Sequence, residues 1–197
     1  MSNIPPYINI HTHREVENEL TISTHGIHPY HSESGARLSP ESIDNSIEAI
    51  GEIGLDFSRP INPETQESLF REQLDIALSQ GLPVVIHAVR AVDRVLEILK
   101  EYKGLKAVIF HGFIGSMQQA QRATDSGYFL SFGHRTFSSP KSLEALRNTP
   151  ITNLFFETDQ HDITIEEIYK MGTEFRTESI EELREAIYKN YINIFKK

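Results

Sequence analysis

Short apolar segments alternate with longer amphipathic segments along the whole chain, and this alternation is the feature that most constrains the fold. Seven segments have the length and β-branched or aromatic content of strands, and several are apolar without interruption, as in parallel strands covered on both faces. They are YINIH, LTISTHGIH, EAIGEIGLDF, LPVVIHAV, KAVIFHGF, YFLSFG and NLFFETD. Between them, residues 63–81, 90–104 and 116–127 have helical spacing and end in glycine. The alternation predicts an α/β fold with a parallel sheet.

Polar side chains are concentrated at the carboxyl ends of the apolar segments. The residues in these positions are His11, His13, His28, Glu52, Asp56, His87, His111, Glu157 and Asp159. A doubly wound sheet collects its ligands at one switch point, whereas a (β/α) barrel collects them from the ends of many strands around one mouth. Contributions from at least five segments therefore favour a TIM-type barrel. With about seven strands in place of eight, we expect this barrel to be reduced or distorted.

Composition limits what such a barrel can bind. A length of 197 residues predicts one domain over residues 1–197. Cysteine is absent, so a metal ion would be bound by His, Asp or Glu. The net charge of −9 argues against a broad basic face for nucleic acid, so an anionic substrate would need local cations. No apolar segment could span a bilayer and the N-terminus lacks a signal-peptide pattern, from which we expect a cytoplasmic protein without a membrane partner.

His11 and His13 are separated by one residue, so on a strand both side chains point to the same side. The pair can be chance proximity among nine histidines or part of a metal site. Glu52 favours the metal site, because a carboxylate inside a core strand must be paired or metal-bound. Taken singly, each further candidate could be a structural histidine or a helix cap. Together, six candidates fit two divalent ions about 3.5–4 Å apart with a bridging carboxylate: His11, His13, Glu52, His87, His111 and Asp159.

The same segments resemble, in order, the motifs of the TatD-related metal-dependent hydrolases, a family of the amidohydrolase-like barrel superfamily. NIHTH is similar to the family's Asp-x-His-x-His opening, and THGIHPY to its Gly-x-His-Pro-His motif. AIGEIGLDF is nearly the family signature, and QESLFREQLDIALSQGLPVVIHA resembles the helix and His strand that follow. FHGFIGS, GYFLSFG, LFFETD and NYINIFK resemble the later motifs. The resemblance covers nearly the whole chain.

The resemblance implies an activity and a role for each candidate. The six ligands would be shared between two ions, with His11, His13 and Asp159 on one, His87 and His111 on the other, and Glu52 bridging. The divalent ions could be zinc, magnesium, manganese or nickel. The implied reaction is hydrolysis of phosphodiester bonds by a metal-activated water, with DNA as a substrate and not as a stable partner. Asp159, as acceptor of the water's proton, and Glu52 are the catalytic candidates.

The chain departs from the family pattern in several places. Asn9 stands where the family has Asp, which removes or weakens any supporting role of that carboxylate. REVENELTISTHGIH reaches the next strand without room for a helix, so we expect the second βα unit to be missing. Arg90 is one residue further from His87 than in the family's His-x-Arg spacing. QHDITIEE replaces a Pro-containing loop and leaves His161 and Asp162 without a role.

Four residues are further candidates for contact with substrate or for support of the ligands: His28, Glu157, Arg90 and His134. Glu157 is two residues from Asp159, so it could hold a ligating histidine. For His28 and His134, a structural or solvent-exposed role is equally open. Two other functions also stay open: hydrolysis of a small phosphoester, amide or lactone at the same metals, and a metal-binding barrel without catalysis. The sequence leaves the oligomeric state open.

Overall fold

A computed structural model describes residues 4–14 and 17–196 of the chain. The chain divides into two compact units, which we call the terminal unit (Met1–Thr21 with His111–Lys197) and the central unit (Ile22–Phe110). A single domain over residues 1–197 therefore stays a prediction. Within the described part of the chain, no helix has the length and apolar character needed to cross a membrane.

Short strands and α-helices alternate through both units. The strands in chain order are β1 (Tyr7–Ile8), β2 (Glu19–Leu20), β3 (Thr24–His25), β4 (Ala49–Asp56), β5 (Val84–Val89), β6 (Val108–Phe110), β7 (Phe129–Phe132) and β8 (Leu154–Phe156). The α-helices are α1 (Pro63–Gln80), α2 (Val92–Leu99), α3 (Met117–Asp125), α4 (Pro140–Asn148), α5 (Ile165–Thr173) and α6 (Ile180–Phe195). Short 3₁₀ helices cover Pro29–His31, Pro40–Ser42, His134–Ser138 and Ile151–Asn153.

The central unit is built on four parallel strands in the order β3-β4-β5-β6. Helix α1 begins after Asn62, whose Oδ1 accepts the Glu64 N–H at 2.8 Å, and it ends at Gly81 in a left-handed conformation. Its apolar face is buried and covers the sheet's core, as expected for an amphipathic helix in an α/β fold. The fully buried residues of this core include Ile50, Ile53, Leu55, Phe70, Leu74, Val84, Val85 and Ile86.

In the terminal unit, β1 pairs in parallel with β2, and β7 pairs in parallel with β8. Beyond β1, the chain continues beside the end of β8. The Ile10 N–H donates to the Phe156 carbonyl at 3.1 Å, and Thr12 forms a parallel bridge with Asp159. Helices α3, α5 and α6 each begin with a capping box, in which the cap and the third helical residue bond each other's backbone. The Ile10–Phe156 hydrogen bond and the Thr12–Asp159 bridge bring the segment after β1 to the carboxyl end of β8.

The predicted alternation of parallel strands and helices is confirmed, with differences in detail. LTISTHGIH, predicted as one strand, forms the separate strands β2 and β3, which pair with β1 and β4 respectively. Between β1 and β2, residues 9–14 and 17–18 contain no helix, as expected for a missing βα unit, while Glu15 and Val16 lie outside the described residues. Helices α4 and α5 were not predicted, although Ser139 and Thr164 are favourable cap residues.

Strand β4 is irregular around Glu52. Ile50 lies opposite Val84 of β5, whereas Ile53 lies opposite Ile86, so β4 has one residue more than β5 between these points. Such a bulge re-aims a side chain out of the regular alternation of a strand. Gly54 then lies opposite His87 with φ of 139°, and a Cβ there would be 2.1 Å from the His87 carbonyl oxygen. Glycine therefore permits the close approach of β4 and β5 beside Glu52.

Gly54→Ala should lower the free energy of unfolding by about 2 kcal/mol or more, because the β5 backbone must move to admit the methyl group. Gly35→Ala is the matched control, since Gly35 also has positive φ but nothing lies within 4 Å of an added Cβ. We expect a loss of only about 1 kcal/mol there. Urea denaturation followed by circular dichroism compares the two variants. Equal losses would show that the approach of β4 to β5 does not depend on Gly54.

Candidate metal centre

Three ligand-type side chains meet in the terminal unit: His11, His13 and Asp159, which we call the first cluster. Their ligand atoms lie within 4.8 Å of one another. Asp159 Oδ1 lies 3.5 Å from His13 Nε2 and 4.0 Å from His11 Nε2. The His11 side chain is 5% exposed and that of His13 is 45% exposed, so the cluster reaches solvent at His13.

Backbone pairing fixes the geometry of the first cluster. The His13 N–H donates to the Asp159 carbonyl at 3.2 Å, and the Asp159 N–H donates to the His11 carbonyl at 3.1 Å. Buried Asn9 donates from Nδ2 to Thr158 Oγ1 at 2.9 Å and accepts the Thr158 N–H at 3.0 Å. Asp159 has φ of 51°, a conformation that the surrounding contacts must maintain. The amide at position 9 therefore helps to hold the segment that carries the first cluster.

His111 lies beside the first cluster and contacts a buried carboxylate. Its ring centroid is 4.4 Å from that of His11, and its Nδ1 is 3.3 Å from Glu157 Oε1. Burial raises the pKa of Glu157, but the charge and hydrogen bond of His111, with a further effect of His11, bring this pKa below its usual value. An ionised carboxylate only accepts hydrogen bonds, so when His111 gives up its positive charge its remaining proton stays on Nδ1. Nε2 of His111 then presents a lone pair.

A second cluster, His28, Glu52 and His87, lies in the central unit. Ligand atoms of the three side chains are within 4.8 Å of one another. His87 Nδ1 is 3.5 Å from Glu52 Oε1, and both side chains are largely buried. The ring centroids of His28 and His87 are 4.4 Å apart. The bulge in β4 and the position of His87 opposite Gly54 bring Glu52 and His87 together.

Asp56, at the end of β4, determines which nitrogen of His87 carries the proton. Asp56 Oδ2 is 3.1 Å from His87 Nε2, and Asp56 Oδ1 accepts the Ser58 N–H at 2.8 Å. The Gln66 side chain bonds both the N–H and the carbonyl of Asp56. Burial raises the pKa of Asp56, but hydrogen bonds from Ser58 and His87 outweigh it and the pKa is lowered. The ionised Asp56 accepts a hydrogen bond from Nε2–H of His87. The Nδ1 atom of a neutral His87 therefore presents its lone pair towards Glu52.

The second cluster thus places an acceptor nitrogen of a neutral His87 beside a carboxylate. His87 Nδ1 and Glu52 Oε1 are 3.5 Å apart. Facing lone pairs repel unless a proton or a metal ion lies between them. Imidazole and carboxylate together suit zinc, manganese, iron or nickel, and suit magnesium less well. The residues of both clusters fit a divalent ion, with His87 offering Nδ1 in the second cluster. His111, beside the first cluster, offers Nε2.

The remaining sequence candidates have other surroundings. Arg90 is exposed just beyond β5, with φ of 53°. His134 is exposed as well, and its ring centroid is 5.1 Å from that of His161. Arg14 Nη1 lies 2.7 Å from Asp162 Oδ1 and donates to the His161 carbonyl at 3.2 Å. The sequence analysis assigned no role to His161 and Asp162. In the structure, their contacts with Arg14 connect the loop after Asp159 to the segment after His13.

The sequence placed Asp56 at a strand end but left open whether it orients a ligand or caps the next segment. Its signal was a carboxylate four residues after Glu52 at the end of a core segment. In a regular strand, side chains four residues apart lie on the same face. The sequence does not reveal that a bulge lies between Glu52 and Asp56. The contact of Asp56 with His87 depends on the register of β4 against β5, which spacing within one segment does not contain.

Asp56→Asn should weaken metal binding at the second cluster by about 10- to 100-fold, because an amide NH₂ at this position favours the His87 tautomer with its proton on Nδ1. Asp44→Asn is the matched control, since Asp44 makes the same Asp-x-Ser turn with Ser46 on the surface. Competition with a fluorescent zinc chelator measures both affinities. An unchanged affinity in Asp56→Asn, or an equal loss in Asp44→Asn, would contradict the role given to Asp56.

Comparison with known proteins places this geometry in a family. The family model described as TatD related DNase matches residues 6–196. The chain is 30% identical over 194 residues to the uncharacterized metal-dependent hydrolase YjjV of Escherichia coli, which covers 86% of this chain and 74% of that protein. It is 33% identical over 147 residues to the 3'-5' ssDNA/RNA exonuclease TatD of Klebsiella pneumoniae, covering 70% of this chain and 56% of the exonuclease.

The crystal structure of Escherichia coli YjjV matches with a TM-score of 0.82 at 26% identity, over 90% of this chain and 77% of that chain. This likeness confirms the α/β fold of the TatD type that the sequence predicted. The chain spans only 56% of the length of the Klebsiella exonuclease, so the similarity to that protein concerns part of it. With residues 6–196 matched by the family model, the chain belongs to the TatD-related family of metal-dependent hydrolases.

Proposed function

We propose that this chain hydrolyses phosphodiester bonds in DNA, preferentially single-stranded, with the help of two divalent ions. One observation carries the proposal: buried Asp56 and Glu157 each hold one nitrogen of a strand-end histidine, which leaves the other nitrogen as a metal-binding lone pair. The Klebsiella relative is named as a 3'-5' exonuclease of single-stranded DNA and RNA, which supports the substrate class.

In this proposal each cluster binds one ion. His11, His13 and Asp159 bind the first, and His87 with Glu52 binds the second. The imidazole content of both clusters favours zinc, manganese or nickel over magnesium. The bridging role of Glu52 and the sharing of one ion by His87 and His111 stay predictions from the family resemblance. A cytoplasmic location also stays a prediction.

Bound divalent ions lower the pKa of water and neutralise charge on phosphoryl oxygens. The protein's own contribution is to position the groups and to move a proton. Asp159 is the proton acceptor in the proposal, because its carboxylate is 25% exposed, whereas Glu157 is fully buried and bound to His111. As the water oxygen attacks phosphorus, its proton passes to Asp159 and the leaving oxygen departs with the electron pair of its bond to phosphorus. Backbone hydrogen bonds from His13 to Asp159 and from Asp159 to His11 hold the segment that carries this carboxylate in place.

Two other functions remain as alternatives to the nuclease. Hydrolysis of a small phosphoester, amide or lactone is favoured by the net charge of −9, which repels a polyanion more strongly than a small substrate. The link between β1 and β2, whose described residues contain no helix, also supplies less surface for a long substrate. A barrel that binds metal without catalysis is the third possibility, because a binding protein could use the same ligands.

The test uses protein stripped of metal and reconstituted with zinc or manganese. We expect it to degrade a single-stranded oligonucleotide faster than duplex DNA and faster than bis(4-nitrophenyl) phosphate. Glu52→Ala should lose about 100-fold or more of this activity, because it removes a carboxylate ligand of the second cluster. Activity on the small ester but not on DNA would overturn the substrate assignment. No activity on any substrate with both ions bound would favour the binding protein.

Asp159→Asn should lower kcat on the oligonucleotide by about 10²- to 10⁴-fold in protein that keeps its metal content, because an amide cannot accept the proton. Asp162→Asn is the matched control three residues further on, since Asp162 is exposed and pairs with Arg14. Single-turnover cleavage and elemental analysis measure rate and metal content in the same samples. Full turnover in Asp159→Asn with intact metal content would rule out Asp159 as the proton acceptor.

A further inference from the structure

Helix α1 carries two glutamines on the face that it buries against the sheet. Gln66 and Gln73 are each 1% exposed. They are seven residues apart, about two helical turns, so they lie on the same side of the helix as the buried Leu69 and Leu74. A buried amide raises the free energy of the folded state unless hydrogen bonds replace those that it makes with water. Two glutamines among apolar side chains therefore indicate specific polar partners.

Each of these amides bonds the backbone of one residue in both directions. Gln66 Oε1 accepts the Asp56 N–H at 2.7 Å, and its Nε2 donates to the carbonyls of Asp56 at 3.1 Å and Ile61 at 3.3 Å. Gln73 Oε1 accepts the Ile27 N–H at 2.6 Å, and its Nε2 donates to the Ile27 carbonyl at 3.0 Å. Such a pair of bonds requires a side chain that has both a donor and an acceptor.

Asp56 lies beyond the part of β4 that pairs with β3. On the other side of β4, the Phe57 N–H donates to the Val89 carbonyl of β5 at 2.9 Å. Backbone N–H groups of successive strand residues point to opposite sides, so the Asp56 N–H points away from β5. On that side, β3 pairs with the first two residues of β4. Gln66 therefore takes the place of a neighbouring strand at Asp56.

The side chain of Asp56 extends from this position to the second cluster. Its Oδ2 is 3.1 Å from His87 Nε2, and its Oδ1 accepts the Ser58 N–H at 2.8 Å. The turn with Ser58 is local and moves together with Asp56, whereas Gln66 connects Asp56 to helix α1. A hydrogen bond weakens as its distance and angle depart from the preferred values. Displacement of the Asp56 backbone would therefore weaken the bond between Asp56 and His87.

We propose that Gln66 is a positioning residue of the second cluster, which acts on His87 through Asp56. Its amide holds the backbone of Asp56 where the carboxylate accepts the hydrogen bond from His87 Nε2. The proton of a neutral His87 then stays on Nε2, and Nδ1 keeps the lone pair that a metal ion needs. The metal-binding part of this inference rests on the proposed function, whereas the placement of the proton does not.

Gln73 provides the comparison within the same helix. It matches Gln66 in burial and in the pair of bonds to one backbone residue, but its partner Ile27 follows β3 and is not in the segment that carries Asp56. Removal of either amide takes these bonds from a backbone N–H and a carbonyl, so both variants should lose stability to a similar extent. We expect only the loss of Gln66 to affect the proton of His87.

The first test observes the His87 ring in metal-free protein. Long-range ¹H–¹⁵N correlation spectra at mildly alkaline pH are compared for the parent protein, Gln66→Met and Gln73→Met. We expect the proton of His87 on Nε2 in the parent protein and in Gln73→Met. In Gln66→Met the two ring ¹⁵N shifts should move towards each other, as for a mixture of the two tautomers. An unchanged His87 spectrum in Gln66→Met, or an equal change in Gln73→Met, would overturn the proposal.

The second test is a double-mutant cycle of zinc affinity at the second cluster. Competition with a fluorescent chelator is measured for Gln66→Met, for Asp56→Asn and for the variant that carries both changes. Gln66→Met alone should weaken zinc binding by about 10-fold or more. In the Asp56→Asn background the same change should have little further effect, because Gln66 acts through the carboxylate. Equal losses in both backgrounds would show that Gln66 acts independently of Asp56 and would contradict the proposal.

Gln66→Glu replaces Gln66→Met in both tests if the methionine variant does not fold. A carboxylate still accepts the Asp56 N–H but cannot donate to the carbonyls, so the His87 tautomer and the zinc affinity should change in the same direction. If the parent protein binds no zinc at the second cluster, the proposed function and the metal-binding part of this inference both fail. The His87 spectra would still decide whether Gln66 determines the position of the proton.

Discussion

A buried carboxylate bound to a strand-end histidine is the interaction on which the rest of this structure depends. Asp56 lies 3.1 Å from His87, and Glu157 lies 3.3 Å from His111. A buried charge is tolerated only with such a partner, so the strands that carry each pair must keep their register. In the central unit, the extra residue in β4 and Gly54 opposite His87 set that register. The carboxylate accepts a hydrogen bond from one ring nitrogen of the histidine, so the other nitrogen is the one that could bind a cation.

The surroundings of the ligand-type residues differ from the family pattern. Asn9 removes the negative charge that the family carries at this position, yet it makes two hydrogen bonds to Thr158 next to the first cluster. The described residues between β1 and β2 form no helix, and Arg14 in this link pairs with Asp162. A short link fastened to the loop after β8 therefore replaces a βα unit. The ligand-type residues of the family pattern are present, while the described part of the link beside the first cluster departs from that pattern.

Much of this arrangement could be predicted because parallel strands end at one edge of a sheet. The closeness of His11, His13 and Asp159 follows from that rule and from the two-residue spacing of the histidines. Their roles as ligands stay predictions. The tautomer of His87 could not be predicted, because it depends on Asp56 reaching His87 across a bulge. The division of LTISTHGIH into β2 and β3 depends on two different partner strands, which no local pattern contains.

Anomalous diffraction at the zinc edge, from crystals of the zinc-loaded protein, tests most directly whether a carboxylate selects the nitrogen that binds the ion. We predict an ion at about 2.0–2.1 Å from Nδ1 of His87, with Asp56 still bound to Nε2. An ion on Nε2 of His87 would contradict the tautomer assigned from Asp56.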